Sequence, residues 1–424
     1  MSLLVLSPDF ASHYGPLSVL AGAVRRSGRR VVVATGAALR ARVESDGFEW
    51  RLLQLGASSN NGIAGRDVAV QRFIAATALG PAATLRLQAL EREHDLLWQA
   101  ERVANDVARL CNEIDPDRIL VDHVSFGSTL AAYATGRPFV TVVPGHPSQL
   151  PVGGERYGIP ARWPVSIQLA SSELADLNSV ADRVTRAFTA RWNEALAAVA
   201  PDRPSVGDAF RVHGERVLYN SVSSMHDPIR TGLLPSDHRF VGPLVRHEEL
   251  PAEHRSWEHP ADGPAQVYVA LGTFLSHRGD VLARLADALA HLGVRAAMAL
   301  GTTPVQQFGP LPADWIVAAQ LPQVAMLRSA DLSVHHGGNN TVQESLAAGV
   351  RQLVLPFSTD QFSNAADLER IGVACVRSPN DSSVAELAVA VEVALAAPRR
   401  AATPVLTDEQ LSDAVFSPVH EPVT

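Results

Sequence analysis

Short apolar runs alternate with longer amphipathic stretches from the first residues onward. Leu3 to Leu6 is apolar and is closed by Ser7-Pro8-Asp9, which predicts a buried strand ending in a loop. Pro16 can open a helix; Leu17, Leu20 and Val24 follow at helical spacing, and Gly28 stops it. Val31 to Ala34 is the next strand. Strand, helix, strand is the unit of a parallel sheet. Residues 85–113 look helical with one charged face, Asp115-Pro116-Asp117 breaks them, and Ile119-Leu120-Val121 is a further strand. A helix over about 127–135, a strand from Phe139 to Val143, a Pro- and Gly-rich loop 144–164 and a helix over about 172–199 follow. Val217–Asn220 and Phe240–Pro243 are strand candidates.

Between 244 and 264 the chain turns polar and Pro-rich, which reads as a linker. A second alternating set then begins. Strands are expected near 267–271, 296–300, 315–318, 332–334 and 353–355, with a helix over 278–292 and others between. The expected class is therefore α/β, with two open, doubly wound, Rossmann-like parallel sheets facing across a cleft. The domains would be 1–243, a linker 244–264, 265–397, and a segment 398–424 that packs back on the first domain through an amphipathic stretch near Asp408–Phe416. A chain of 424 residues suits two domains. Ligands in such sheets bind beyond the C-terminal ends of the strands.

Composition narrows the function. Hydrophobic residues are 46% and charged residues 19%, ordinary for large cores, and the net charge is −8 without a basic stripe. That leaves nucleic-acid binding without electrostatic support. Cys111 and Cys375 stand in apolar contexts and are expected as buried thiols. The N-terminus lacks a basic leader pattern, and no apolar run reaches the ~18 residues of a membrane span, so a soluble cytoplasmic protein is expected.

The candidate chemistry centres on residues 335–344, His-His-Gly-Gly-Asn-Asn-Thr-Val-Gln-Glu. A strand leads in, glycines permit a sharp turn, and a helix begins with free N–H groups directed at the turn. This is a site for an anion, most naturally a phosphate. His336, Asn340 and Thr341 offer donors, Gly337 and Gly338 close approach, and Glu344 an acceptor one turn on. A helix-capping turn without a ligand is the alternative. His335 reads as a packing residue. Three other strand ends carry small or polar groups: Gly272-Thr273, Pro322-Gln323 and Asp360-Gln361, with Asn364 beyond.

Taken in this order and spacing, residues 267–375 resemble the nucleotide-sugar-binding half of the family 1, UDP-glycosyltransferase-like, glycosyltransferases of the GT-B fold. The resemblance implies that His336, Gly337, Gly338, Asn340 and Thr341 hold a diphosphate and Glu344 a ribose. It places Gly272 and Thr273 beside the donor, Gln323 near the base, and Asp360 and Gln361 on the donor sugar. Gln320 stands where many relatives have an aromatic that stacks on the base. In the first half, Ser12-His13-Tyr14-Gly15-Pro16 follows strand one, and His13 keeps the family's spacing to Pro16, with Ser12 in place of a glycine. The resemblance makes His13 the general base, a role suited to imidazole's pKa of ~6.5. Asp122 would be its partner, with Asp9 as rival. The acceptor would meet loops 56–66 and 144–164, with His123, Ser125, His146 and Tyr157 as candidates. Asp115-x-Asp117 precedes a strand and reads as a turn, so no metal and no cofactor is expected.

The implied reaction is inverting, metal-independent transfer of a sugar from a dTDP- or UDP-sugar to a hydroxyl of a small natural product. High alanine and arginine use with little lysine points to a GC-rich bacterial coding sequence, which suits tailoring of secondary metabolites. The alternatives are a nucleotide-sugar epimerase or hydrolase of the same fold, and a non-catalytic nucleotide-sugar-binding auxiliary protein. Oligomeric state stays open, a homodimer among the options.

Overall fold

The computed structural model describes residues 1–56, 68–95, 97–258 and 263–417. The first sheet contains β1 Ser2–Leu6, β2 Arg30–Thr35, β3 Glu49–Leu52, β4 Arg118–Asp122, β5 Phe139–Val143, β6 Arg216–Tyr219 and β7 His238–Phe240. Its order is β3-β2-β1-β4-β5-β6-β7, and every pair is parallel. The second contains β8 Gln266–Ala270, β9 Arg295–Ala299, β10 Ile316–Ala318, β11 Leu332–His335, β12 Arg351–Val354 and β13 Ala374–Val376. Its order is β10-β9-β8-β11-β12-β13, again all parallel.

The helices of the first half are α1 Ala11–Arg26, α2 Arg40–Ser45, α3 Val68–Leu79, α4 Pro81–Asp95, α5 Ala100–Ile114, α6 Phe126–Thr135, α7 Ser171–Val199 and α8 Pro228–Thr231. Those of the second are α9 Gly272–Leu275, α10 Gly279–His291, α11 Gln323–Leu327, α12 Asn339–Ala347, α13 Thr359–Arg370, α14 Val384–Ala396 and α15 Asp408–Phe416. Both faces of each sheet are covered, which is why the strands read as continuous apolar runs. Leu4 and Leu6 enter one cluster with α5, α6 and α7, whereas Leu3 and Val5 enter another with α1 and α15. In the second sheet Val267 and Val269 pack with α10 and α14, and Tyr268 and Ala270 pack with Met326 and Trp257.

Three expectations change. The first helix starts at Ala11, not at Pro16, so Pro16 lies inside it. The long helix over 85–113 is two helices: α4 ends at Asp95 and α5 begins at Ala100, with Gln99 at φ 44° between them. Residues 252–257 of the linker pack on the second sheet; Trp257 is fully buried and its Nε1 donates to the Met326 carbonyl at 2.9 Å. β3 and β13 gave no sequence signal; they are short edge strands with little burial, β3 burying none of its four side chains fully and β13 one of its three. α15 lies on α1. Leu411, Ala414 and Val415 join that core, and Arg216 donates to the carbonyls of Ala414 at 2.7 Å and Ser417 at 2.9 Å. Cys111 and Cys375 are free thiols.

Candidate functional site

In the first sheet, connections leave in opposite directions on either side of the β1–β4 neighbours, which opens a crevice at their C-terminal ends. The two strands are in register through Leu6 and Val121, so the segment after β1 and the last residue of β4 meet there. α1 brings His13 to this point in its first turn, and Asp122 ends β4. The His13 Nδ1 lies 2.9 Å from Asp122 Oδ2. Asp122 is fully buried, and its other oxygen accepts from the Val124 N–H at 3.0 Å. A carboxylate held this way accepts Nδ1–H, which leaves Nε2 as the proton acceptor. Burial works to lower the His13 pKa; the charge and hydrogen bond of Asp122, helped by Asp360, outweigh it and raise the pKa above 6.5. The rival Asp9 instead bonds the backbone at Ala38 and Leu39.

The second sheet repeats the device at β8 and β11. Gly272 follows β8 and His336 follows β11. Gly337 has φ 87°, and a Cβ there would meet Val354 Cγ1 at 3.0 Å and the Gln361 carbonyl at 3.1 Å, so the turn needs glycine. α12 starts at Asn339, and its first hydrogen bond to the N-cap runs from Val342 N–H to the Gly338 carbonyl. The N–H groups before Val342 have no partner within the helix and face the turn. A helix dipole alone supplies roughly 0.3–1 kcal/mol, so these donors must do most of the work on an anion. His336 is neutral: burial pulls its pKa down to about 4 against a hydrogen bond at the Ala270 backbone. His335 is a packing residue, with Nε2 2.9 Å from Gln352 Oε1. Glu344 sits one turn along α12. Burial raises it to about 7 despite the bond from Gln323, with Glu248 adding to the rise. Gln323 Nε2 also donates to Thr341 Oγ1 at 3.1 Å, which ties these residues into one network.

Several candidates are arranged otherwise than the sequence implied. The Gln361 side chain caps its own helix: Oε1 accepts from the N–H groups of Phe357 and Ser358 at 2.9 and 3.1 Å, and Nε2 reaches Ser358 Oγ at 3.0 Å. That leaves it one amide hydrogen, whereas Asp360 lines the cleft, accepts from the His146 N–H at 3.3 Å, and its charge acts on His13. The Asn340 amide donates one hydrogen to the Ser12 carbonyl at 2.7 Å, an interdomain tie that leaves its second hydrogen for a ligand. His146 is buried and bonded to Ser148 at 2.8 Å and Asp367 at 3.1 Å, at the edge of a cavity of about 540 Å³ lined by the 152–163 loop. His123 is fully buried against Phe126, its Nε2 2.8 Å from the Gln149 carbonyl. Tyr157 stacks on Phe210 at 4.2 Å but keeps an edge on the cleft. The Thr273 side chain and loop residues 57–66 lie outside the described residues.

The residues that join the two halves were missed. Pro16 has no N–H, so the Ser12 carbonyl one turn earlier loses its helical donor and takes Asn340 instead. Asn339 donates to the carbonyls of Pro144 at 2.8 Å and Asn220 at 2.7 Å. Asp367 of α13 receives both His146 and His226, the latter at 2.7 Å, and His226 continues to Ser221 at 2.6 Å. Only the proline inside a helix pattern could have signalled any of this.

Comparison with known proteins completes the picture. Residues 282–421 match the family model "Erythromycin biosynthesis protein CIII-like, C-terminal domain". A PGL/p-HBAD biosynthesis glycosyltransferase of Mycobacterium tuberculosis is 31% identical over 184 residues, 43% of this chain and 41% of that protein. The L-demethylnoviosyl transferase of Streptomyces niveus is 29% identical over 51% of this chain and 61% of its own. The zeaxanthin glucosyltransferase of Pseudescherichia vulneris is 26% identical over 86% of this chain and 83% of its own. The match thus spans well under two thirds of the M. tuberculosis relative. Among solved structures, the kitacinnamycin glycosyltransferase superposes with a TM-score of 0.69 at 20% identity, covering 97% of this chain and 93% of that one. The spinosyn rhamnosyltransferase SpnG, complexed with thymidine diphosphate, gives 0.62 at 19% identity, covering 98% and 96%. The fold is GT-B. Residues 282–421 are similar to the C-terminal domain of that antibiotic-biosynthesis family, and the sequence relatives reported above are glycosyltransferases.

Proposed function

We propose that the protein transfers a sugar from a nucleoside-diphosphate sugar to a hydroxyl of a small natural product, with inversion and without a metal. The observation that carries this is the His13–Asp122 pair at one switch point, tied through Ser12 and Asn340 to the helix start at the other. His13 Nε2 takes the acceptor proton. The freed oxygen attacks the anomeric carbon opposite the nucleotide, and the diphosphate leaves against the turn 337–341. Asp122 stabilises the imidazolium that forms. A thymidine nucleotide is the first donor to test, because the solved relative SpnG was complexed with thymidine diphosphate.

The test is incubation with dTDP- and UDP-sugars and pooled acceptors, followed by mass spectrometry. The expected product has the mass of an acceptor plus one sugar less water. Steady donor breakdown that no acceptor diverts would instead identify a hydrolase.

A further inference from the structure

Arg92 is a cleft cation that the mechanism above does not use. It lies in the last turn of α4, with its guanidinium carbon 4.8 Å from the centre of the Tyr157 ring. A Cβ at Gly158, where φ is 77°, would come within 1.7 Å of Arg92 Nη1, so glycine is what lets the guanidinium lie against this backbone. Among the described residues Arg92 has no hydrogen bond or ion pair. Burial works against its charge, offset only at longer range by Tyr157 and Asp360. Arg92 is part-buried; the Tyr157 ring contacts its guanidinium face, its N–H groups are left to take an anion, and arginine stays charged there.

The guanidinium faces a cavity of about 60 Å³ lined also by Ser148, Gln149, Tyr157, Thr359 and Asp360. That is room for a carboxylate-sized group, not for a whole acceptor. The cavity lies within electrostatic reach of the base: its lining residue Asp360 acts on His13, and Tyr157 feels the charges of Asp360 and Asp122. Thr359 is held at φ 36°, an unfavourable conformation for a β-branched residue, and so marks this wall as specialised. Asp360 repels an anion on its own side, which leaves the Arg92 and Tyr157 side for the negative end of a ligand and the Asp360 and His13 side for its hydroxyl.

We infer that Arg92 receives a carboxylate of the acceptor, so that the acceptor is a hydroxy acid with its acid at Arg92 and its reacting hydroxyl at His13. This rests on the transfer reading above. Guanidinium and carboxylate pair through two parallel hydrogen bonds, which fixes orientation as well as affinity. The test is calorimetric binding of hydroxy-aromatic acids and their methyl esters to the intact protein, wild type, Arg92→Gln and Arg92→Lys, with dTDP affinity as control. Wild type should bind the best acid on the order of ten-fold more tightly than its ester. Arg92→Gln should bring the two within about two-fold, Arg92→Lys should restore part of the gap, and dTDP affinity should hold. Equal binding of acid and ester by wild type, equal loss of both in Arg92→Gln, or no binding of any acid would overturn it. Failure of the transfer reading itself would show separately, as bound acid and dTDP without sugar transfer.

Discussion

Each sheet places a histidine at its switch point, one after the β1 side and the other after the β11 side, and gives it opposite character. His13 follows the first strand of its sheet and meets a buried carboxylate, which holds its pKa above 6.5. His336 follows the fourth strand of the other sheet, meets only backbone, and is driven down to about 4. One can take a proton at neutral pH; the other stays neutral beside a helix start. Desolvation lowers both, so the partner carboxylate is what separates their protonation behaviour, as the proposed roles of base and donor-site residue require.

Removing the base should have the largest effect. His13→Ala is expected to lower kcat by on the order of 10²–10⁴-fold while dTDP affinity by calorimetry stays within about two-fold. Asp122→Asn keeps the shape but loses the charge, and kcat should fall by roughly 10²-fold or more in the same assay. On the other side, Gly337→Ala forces a left-handed residue at φ 87° into contact with Val354. That costs roughly 1–2 kcal/mol, so dTDP should bind about ten-fold more weakly, with the His13 pKa unchanged by NMR titration. The smallest effect belongs to Glu344. Its pKa of about 7 means that it gains its charge as pH rises through neutrality, when it becomes the better acceptor for ribose. Nucleotide affinity should therefore improve a few-fold between about pH 6 and 8, and Glu344→Gln should flatten that part of the rise.

Legibility in the sequence followed burial and locality. The central strands read directly because both faces are covered, so Leu3–Leu6 and Ile119–Val121 are unbroken apolar runs. The His336–Gly338 turn was legible because its geometry is local: a strand end, a left-handed glycine, a helix start. The His13–Asp122 pair spans 109 residues, and only the family resemblance joined it. What failed was the pairing of polar side chains, local for Gln361 and long-range for His146. Gln361 and His146 have the right chemistry for ligands, yet one caps a helix and the other bonds Asp367. Arg92 sits in a stretch read merely as a charged helix face, and its meaning depends on Gly158 and Tyr157 from a distant loop.

The pH dependence of kcat/KM for sugar transfer, wild type beside Asp122→Asn, tests the role of the His13–Asp122 pair most directly. His13 must be neutral to act as base, so the rate should rise with pH through a midpoint above 6.5 in the wild type. In Asp122→Asn burial acts unopposed by that carboxylate, and the midpoint should move to lower pH. A wild-type midpoint at or below 6.5, or one that Asp122→Asn leaves in place, would contradict the assignment of the base.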